Sequence, residues 1–235
     1  MVSFFHRKPS MTLQVDNPYW MSFSDMMSGM LIIFILVSMA LLYRISNMKV
    51  EAINVRNDML KEIQYELSKN GVMVRIEDNG TVIRIPTDTL SFDSNSDVIK
   101  NKETAVEIGR VIKEALKKKN RLEHLETVFV EGHTDSIPTS DYYGGNWGLS
   151  AQRAISLWTV WIEDPELKEL NELKNSDNYH LFSVSGYADT RRAKQKEESD
   201  EDRSKNRRID IRFTIRQPSL EDGENTFKKR ATATP

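Results

Sequence analysis

The chain has 235 residues and a formal net charge of −2 at pH 7, with 39% apolar and 29% charged residues. That balance is globular over most of the length and lacks the basic excess that nucleic-acid binding requires. Cysteine is absent, which excludes a disulfide framework, a thiolate nucleophile and a thiolate zinc site together.

Residues 1–16 form a short polar tail. Residues 26–43 then carry no charge, no proline and one glycine. As a helix they rise roughly 27 Å, close to the bilayer core of about 30 Å. With the apolar and aromatic residues before them they predict one transmembrane helix over 17–43, with Tyr19, Trp20 and Tyr43 at the two interfaces. Ser38-Met39-Ala40 has the form of a signal-peptide cleavage site, but the approach to it is too long and has an acid at its edge. Arg7 and Lys8 on one side, against Arg44, Lys49 and Arg56 on the other, lean slightly against an inside N-terminus and leave the orientation to the C-terminal part. Asp25, at the head of the apolar run, is either an interfacial acid at a helix start or an intramembrane carboxylate with a task.

Residues 44–70 place Ile45, Met48, Ala52, Val55 and Met59 at an alternating spacing of three and four, which predicts a dimerising helical linker. Beyond Met59 the stripe drifts to Leu60, Ile63 and Leu67, where the coil should loosen; a lone amphipathic stalk is the plainer alternative. A domain over 71–216 follows. "VMVRIE" and "TVIRI" flank Asp78-Asn79-Gly80, a tight hairpin signal. Residues 101–119 read as a helix with Ala105, Ile108, Ile112 and Leu116 on one face. "TVFVEG" is a short buried strand, and Ser150–Ile162 a helix with Ala151, Ala154, Ile155, Trp158 and Trp161 at helical spacing. "LFSVSGY" is another strand. "RIDIRFTI" alternates, with Ile209, Ile211, Phe213 and Ile215 inward and Asp210, Arg212 and Thr214 outward. The class is therefore a single transmembrane helix plus an α+β domain, its helices packed on one mixed sheet. The charge run over 190–206 reads as a solvated loop whose end positions Arg207 and Arg208. Residues 217–235 hold few large apolar residues and read as disordered.

The polar cluster is in "VFVEGHTDSIPTSDYYGGNWGLSAQRAISLW". Glu131, His133, Thr134 and Asp135 come at a strand end, Asn146 before a helix, and Arg153 about a turn into it. Such an acid and guanidinium can hold the two ends of a zwitterion, Arg pairing with a carboxylate and Asp with an ammonium. A plain Asp–Arg salt bridge fixing a loop fits the spacing equally well. His133 with Asp135 is no metal site, because His6, His124 and His180 are scattered. Ser136 and Ser140 near His133 lack the strained glycine-flanked turn of a nucleophile. No phosphate loop, dinucleotide fingerprint or zinc-protease motif occurs, so the chain reads as no enzyme and calls for no cofactor.

"VEGHTD", "NWGLSAQRA", "SVSGYADT" and "NRRIDIRF", in that order, resemble the peptidoglycan-binding domain shared by OmpA and the flagellar stator protein MotB, over residues 72–216. The resemblance implies that Asp135 and Arg153 grip the diaminopimelate of a peptide stem, with Thr134, Asn146, Leu149 and Arg207 around them. "SIPTSDYYGGNWG" has its own length and composition, so the resemblance is weakest over that loop. The N-terminal part also resembles MotB, in which an Asp near the start of a single membrane helix receives the travelling ion; Asp25 in "FSDMMSGM" matches it. The resemblance implies an inner-membrane, single-pass protein with a cytoplasmic N-terminus, a periplasmic domain, and a proton or sodium ion as cargo. An intramembrane acid is by default a functional residue. About 28 residues separate membrane and domain, roughly 40 Å if helical, shorter than the flagellar linker. "NPYWMSFSDMMSG", "RIPTDTLSF", "GNWGLS" and "SVSGYA" are more similar to the ZorB family, the stator-like subunits of Zorya anti-phage defence. The implied partners are a MotA-like (ZorA-like) multi-helix membrane subunit, peptidoglycan and a second copy of the chain in a homodimer.

Overall fold

The computed structural model describes residues 18–217 apart from 94 and 119. The tail read over 1–16, and all but Gln217 of that read over 217–235, lie outside the described residues. The chain divides into two compact units, Met1–Asn47 and Met48–Pro235.

In the first unit the described residues all belong to helix α1 (Pro18–Lys69). Proline suits a first helical position, where its missing N–H has no partner to lose. This is the one helix among the described residues that is long and apolar enough to cross a membrane. Its large apolar side chains, Leu31, Ile32, Ile33 and Phe34 among them, are exposed, a surface that calls for lipid or other helices.

The second unit is built on a five-stranded sheet of order β1-β2-β5-β3-β4. The strands are β1 (Arg75–Glu77), β2 (Val82–Pro86), β3 (Leu125–His133), β4 (Phe182–Gly186) and β5 (Arg208–Ile215). β3 and β4 run parallel, joined through helix α4 (Asn146–Glu163), while the other neighbours are antiparallel. The last strand, β5, therefore closes the middle of the sheet. Helix α2 (Thr87–Leu90) follows β2, α3 (Lys102–Lys117) precedes β3, and α5 (Asp200–Asn206) precedes β5. Asn101 caps α3 by accepting from the Thr104 amide at 3.2 Å, satisfying one of the donors a helix start leaves open. The core holds Ile108 and Ile112 of α3, Ala154, Leu157 and Trp161 of α4, and Ile209, Ile211 and Phe213 of β5. Trp161 Nε1 donates to the Ala105 carbonyl at 2.7 Å, tying α4 to α3.

Several expectations shift. The hairpin loop spans Asp78–Thr81, since Glu77 pairs with Val82. Asp78, Asn79 and Gly80 all take positive φ, and both Gly80 and Thr81 donate to the Glu77 carbonyl. α4 begins at Asn146, earlier than Ser150, so Asn146 lies in its first turn and Arg153 two turns in. The distal part of the expected linker belongs to the domain: Met59, Leu60, Ile63 and Leu67 are fully buried in its core and Ala52 is 4% exposed. Glu62 there meets Arg121 at 2.6 Å and Lys118 at 2.7 Å. The drift of the stripe thus marks a helix packing on its own domain, and Met59 cannot serve a dimer seam. The charge run contains helix α5, capped by Ser199, with Asn206 buried against Lys194 and Glu197. Asp210 is on the outward face as expected, yet only 1% exposed. Ile215 is half-buried.

Candidate functional site

The site forms where the end of β3 meets the start of α4. Two glycines permit that approach. A Cβ on Gly132 would collide with the Ser150 carbonyl, and one on Gly186 would lie 2.5 Å from the Ala151 amide nitrogen. With no side chain at these strand ends, the first turns of α4 lie on the sheet, and Asn146, Leu149 and Arg153 arrive beside Thr134 and Asp135.

Asp135 is 8% exposed. Its Oδ1 accepts from the Ile137 amide at 3.1 Å and its Oδ2 from Arg207 Nη1 at 2.8 Å. Arg207 also reaches Asp200 at 3.3 Å, and its carbonyl accepts from the Thr87 hydroxyl. Burial works against the charge on Arg207, but the bonds to Asp135 and Asp200 outweigh it and hold its pKa above the ordinary value. Asn146 Nδ2 donates to the Asp135 carbonyl at 3.2 Å. Leu149 is a buried apolar wall outside the main core.

Arg153 is 2% exposed. Nε donates to the Ser96 carbonyl at 2.8 Å and Nη2 to the Asp93 carbonyl at 3.3 Å, while the Phe92 ring centroid lies 5.3 Å from Cζ. Burial pulls its pKa down to about 10, opposed chiefly by the charge of Asp135 and by Tyr142. The salt bridge that the spacing allowed is therefore made differently. Asp135 bonds Arg207, and Arg153 is held by backbone carbonyls of the loop before α3, so the acid and the guanidinium face one site without neutralising each other directly. A carboxylate accepts about four hydrogen bonds and a guanidinium donates five, so both retain capacity for a ligand.

Two buried atoms sharpen the picture. Thr134 Oγ1 and Asn146 Oδ1 have no hydrogen-bond partner, and both flank Asp135. Buried polar groups in folded proteins are almost always paired. Unpaired oxygens on residues beside Asp135 can accept from an ammonium group, and Arg153 supplies the complementary cation.

Thr134, Asp135, Asn146, Leu149, Arg153 and Arg207 are thus gathered here, whereas Glu131 and His133 of the sequence cluster lie on the outward face of β3, beside Arg212 and Asp210. Asp25 belongs to the other unit and is exposed on α1. Asp93, Ser96, Asp200 and Tyr142, whose hydroxyl donates to Asp97 at 2.9 Å, were missed. They act through backbone carbonyls or distant pairs, and spacing carries no trace of either. Glu197, which accepts from the amide and hydroxyl of Ser136, was hidden in a run read as solvated. Among the described residues no cluster of acids and histidines could hold a metal.

Residues 91–207 match the sequence profile of the OmpA family. No curated protein matches the chain. Among solved structures, a MotB-like protein from Desulfovibrio vulgaris superposes with a TM-score of 0.53 at 19% identity, covering 72% of this chain and 99% of that one. The periplasmic domain of Helicobacter pylori MotB gives 0.49 at 21% identity, covering 72% and 94%. The cell wall anchor of the type VI secretion system from Pseudomonas aeruginosa gives 0.47 at 25% identity, covering 67% and 97%. The C-terminal domain is OmpA/MotB-like in fold, helices on a mixed five-stranded sheet, behind a long apolar helix.

Proposed function

We propose that this chain is the peptidoglycan-anchored stator subunit of an ion-driven motor in the bacterial inner membrane, serving Zorya-type anti-phage defence. α1 crosses the membrane once, with the N-terminus cytoplasmic and the domain periplasmic. Asp25 passes a proton or sodium ion along a path completed by a MotA-like, ZorA-like multi-helix subunit, and two copies of the chain form the anchor.

The observation that carries the wall-binding reading is the pair of unpartnered oxygens, Thr134 Oγ1 and Asn146 Oδ1, beside Asp135. Diaminopimelate ends in an ammonium and a carboxylate on one carbon. Asp135 with these two oxygens accepts from the ammonium, and Arg153 donates to the carboxylate. Leu149 packs on the ligand's aliphatic stem and excludes water. Arg207 holds Asp135 in place through its 2.8 Å bond. This is binding without bond-making, which suits an anchor.

Asp135→Ala or Arg153→Ala should abolish cosedimentation of the chain with purified peptidoglycan while leaving it folded. Removing one member of a buried, hydrogen-bonded charge set costs roughly 2–5 kcal/mol of binding. Wild-type cosedimentation by both variants would remove the site assignment.

A further inference from the structure

The outward face of the sheet carries a second built site, on the other side from the helices. Side chains of β3 and β5 alternate, so Glu131 and His133 share that face with Arg208, Asp210 and Arg212, and Arg84 of β2 joins them. The face is bonded rather than solvated. Arg84 donates to Asp210 through Nε and Nη2 at 3.0 and 3.1 Å, and Arg208 Nε donates to the same carboxylate at 2.9 Å. Arg212 is bound to Glu131 at 2.8 Å and Asp78 at 3.0 Å.

His133 stands apart in this network. It is 0% exposed, and neither ring nitrogen has a hydrogen-bond partner. Its nearest ionic neighbour, Asp210 Oδ2, is 3.5 Å from Nε2, too long for a good bond. The ring stacks on Tyr187 with centroids 5.5 Å apart. Arg191 lies over that same Tyr187 ring at 3.7 Å, and among the described residues no carboxylate pairs with its guanidinium. His133 and Arg191 both line a cavity of about 360 Å³, together with Arg84, Arg192, Arg208 and Arg212.

We propose that this cavity is an oxyanion site, taking a phosphate or carboxylate group, with a ring N–H of His133 and the guanidinium of Arg191 as its direct donors. The charge balance around the imidazole sets the sign of the ligand. Arg84, Arg191 and Arg208 act on it against the single carboxylate of Asp210, which disfavours a metal ion. Glu77 and Asp78 elsewhere on the wall, with Glu131 beneath Arg212, confine the positive region to the His133 end. A guanidinium stacked on a ring keeps its donor edge for an anion, and Arg84 and Arg208, already bonded to Asp210, contribute field. Burial of an N–H without a partner is costly, and a bound oxyanion supplies that partner.

The test is thermal unfolding of the full chain in detergent micelles, titrated with sodium phosphate, sodium acetate or sodium chloride at matched ionic strength. A saturable rise in Tm with phosphate or acetate and not with chloride is expected, since a ligand specific to the folded state stabilises it by mass action. The anion that saturates identifies the group. Arg191→Ala, at an exposed position, should weaken the apparent affinity by about tenfold or more, the loss of one charge-assisted contact. His133→Phe, which keeps the stacked ring and removes both nitrogens, should do the same, and Lys117→Ala on α3 should not. If His133→Phe does not fold, Arg191→Ala decides. Equal effects of all three salts, as for a cavity filled by water alone, or a saturable effect unchanged by Arg191→Ala, would overturn the site. Arg191→Ala should still cosediment with peptidoglycan, which separates this site from the one at Asp135.

Discussion

His133 ties the stability of the domain to pH. Burial, reinforced by Arg208 and, further off, Arg84 and Arg191, holds its pKa down at about 3, from an ordinary 6.5, with Asp210 pulling the other way. Above pH 6.5 the ring is neutral in the folded and unfolded chain and costs nothing. Below it the unfolded chain takes up a proton that the folded chain refuses, so stability falls with falling pH until about pH 3. The slope approaches about 1.4 kcal/mol per pH unit for one such group. Carboxylates titrate mainly below about pH 4.5, so the histidine can be read above that. Urea midpoints should drop between pH 6.5 and about 4.5 in wild type and run flatter in His133→Phe. Parallel slopes for the two proteins would show that the ring takes its proton in the folded state.

The helix α1 changes role along its length, which gives a test at the scale of the element. Ile45 and Met48 are half-buried, whereas Ala52 is 4% exposed and Met59 fully buried in the chain's own domain. A parallel dimer seam can therefore use Ile45 and Met48 but must end before Ala52. Cysteine at Ile45 should crosslink to its twin in membranes. Cysteine at Ala52 should not, and the exposed positions Asn47 and Asn54 should crosslink weakly. Equal crosslinking at Ile45 and Asn47 would replace the seam with a loose stalk. What could be read from the sequence follows the same physics. α3, α4 and β5 were legible because each buries one face and so repeats with a fixed period. α5 was not: five of its seven residues are charged, and it is held by the Ser199 cap and by the buried Asn206. Residues of the Asp135 site were legible as a cluster, but the Asp135–Arg207 bond joins positions 72 apart. Asp210 was expected outward and is buried, because Arg84 and Arg208 bond it and the His133 ring lies against it, and alternation cannot tell solvent from a bonded network.

At the scale of the whole molecule the question is whether the proposed wall anchor is coupled to ion flow, and Asp25 decides it. α1 starts at Pro18, which puts Asp25 about 10 Å along the helix axis. The field of a helix end fades within its first turn, so capping gives Asp25 no reason to be there. A passive tether, with an inert apolar span, has no use for a carboxylate inside it. On the proposed reading Asp25 faces the helices of the partner subunit, with Gly29 and Ile33 on the same face lining the route. One charge crossing the membrane gains about 2.3 kcal/mol per 100 mV, enough to bias a conformational step. Asparagine keeps the size and the hydrogen bonding of Asp25 and cannot change charge, so Asp25→Asn separates titration from packing. The variant should express, assemble and bind peptidoglycan as wild type does, and lose phage protection with swimming unaffected. Asp25→Glu should keep part of the activity, because the carboxylate survives at a shifted position. A swimming defect with normal phage resistance would move the protein to the flagellar class. Full protection, or full motility, by Asp25→Asn at normal expression would leave α1 as a membrane anchor alone, and the domain at its end as a tether to the wall.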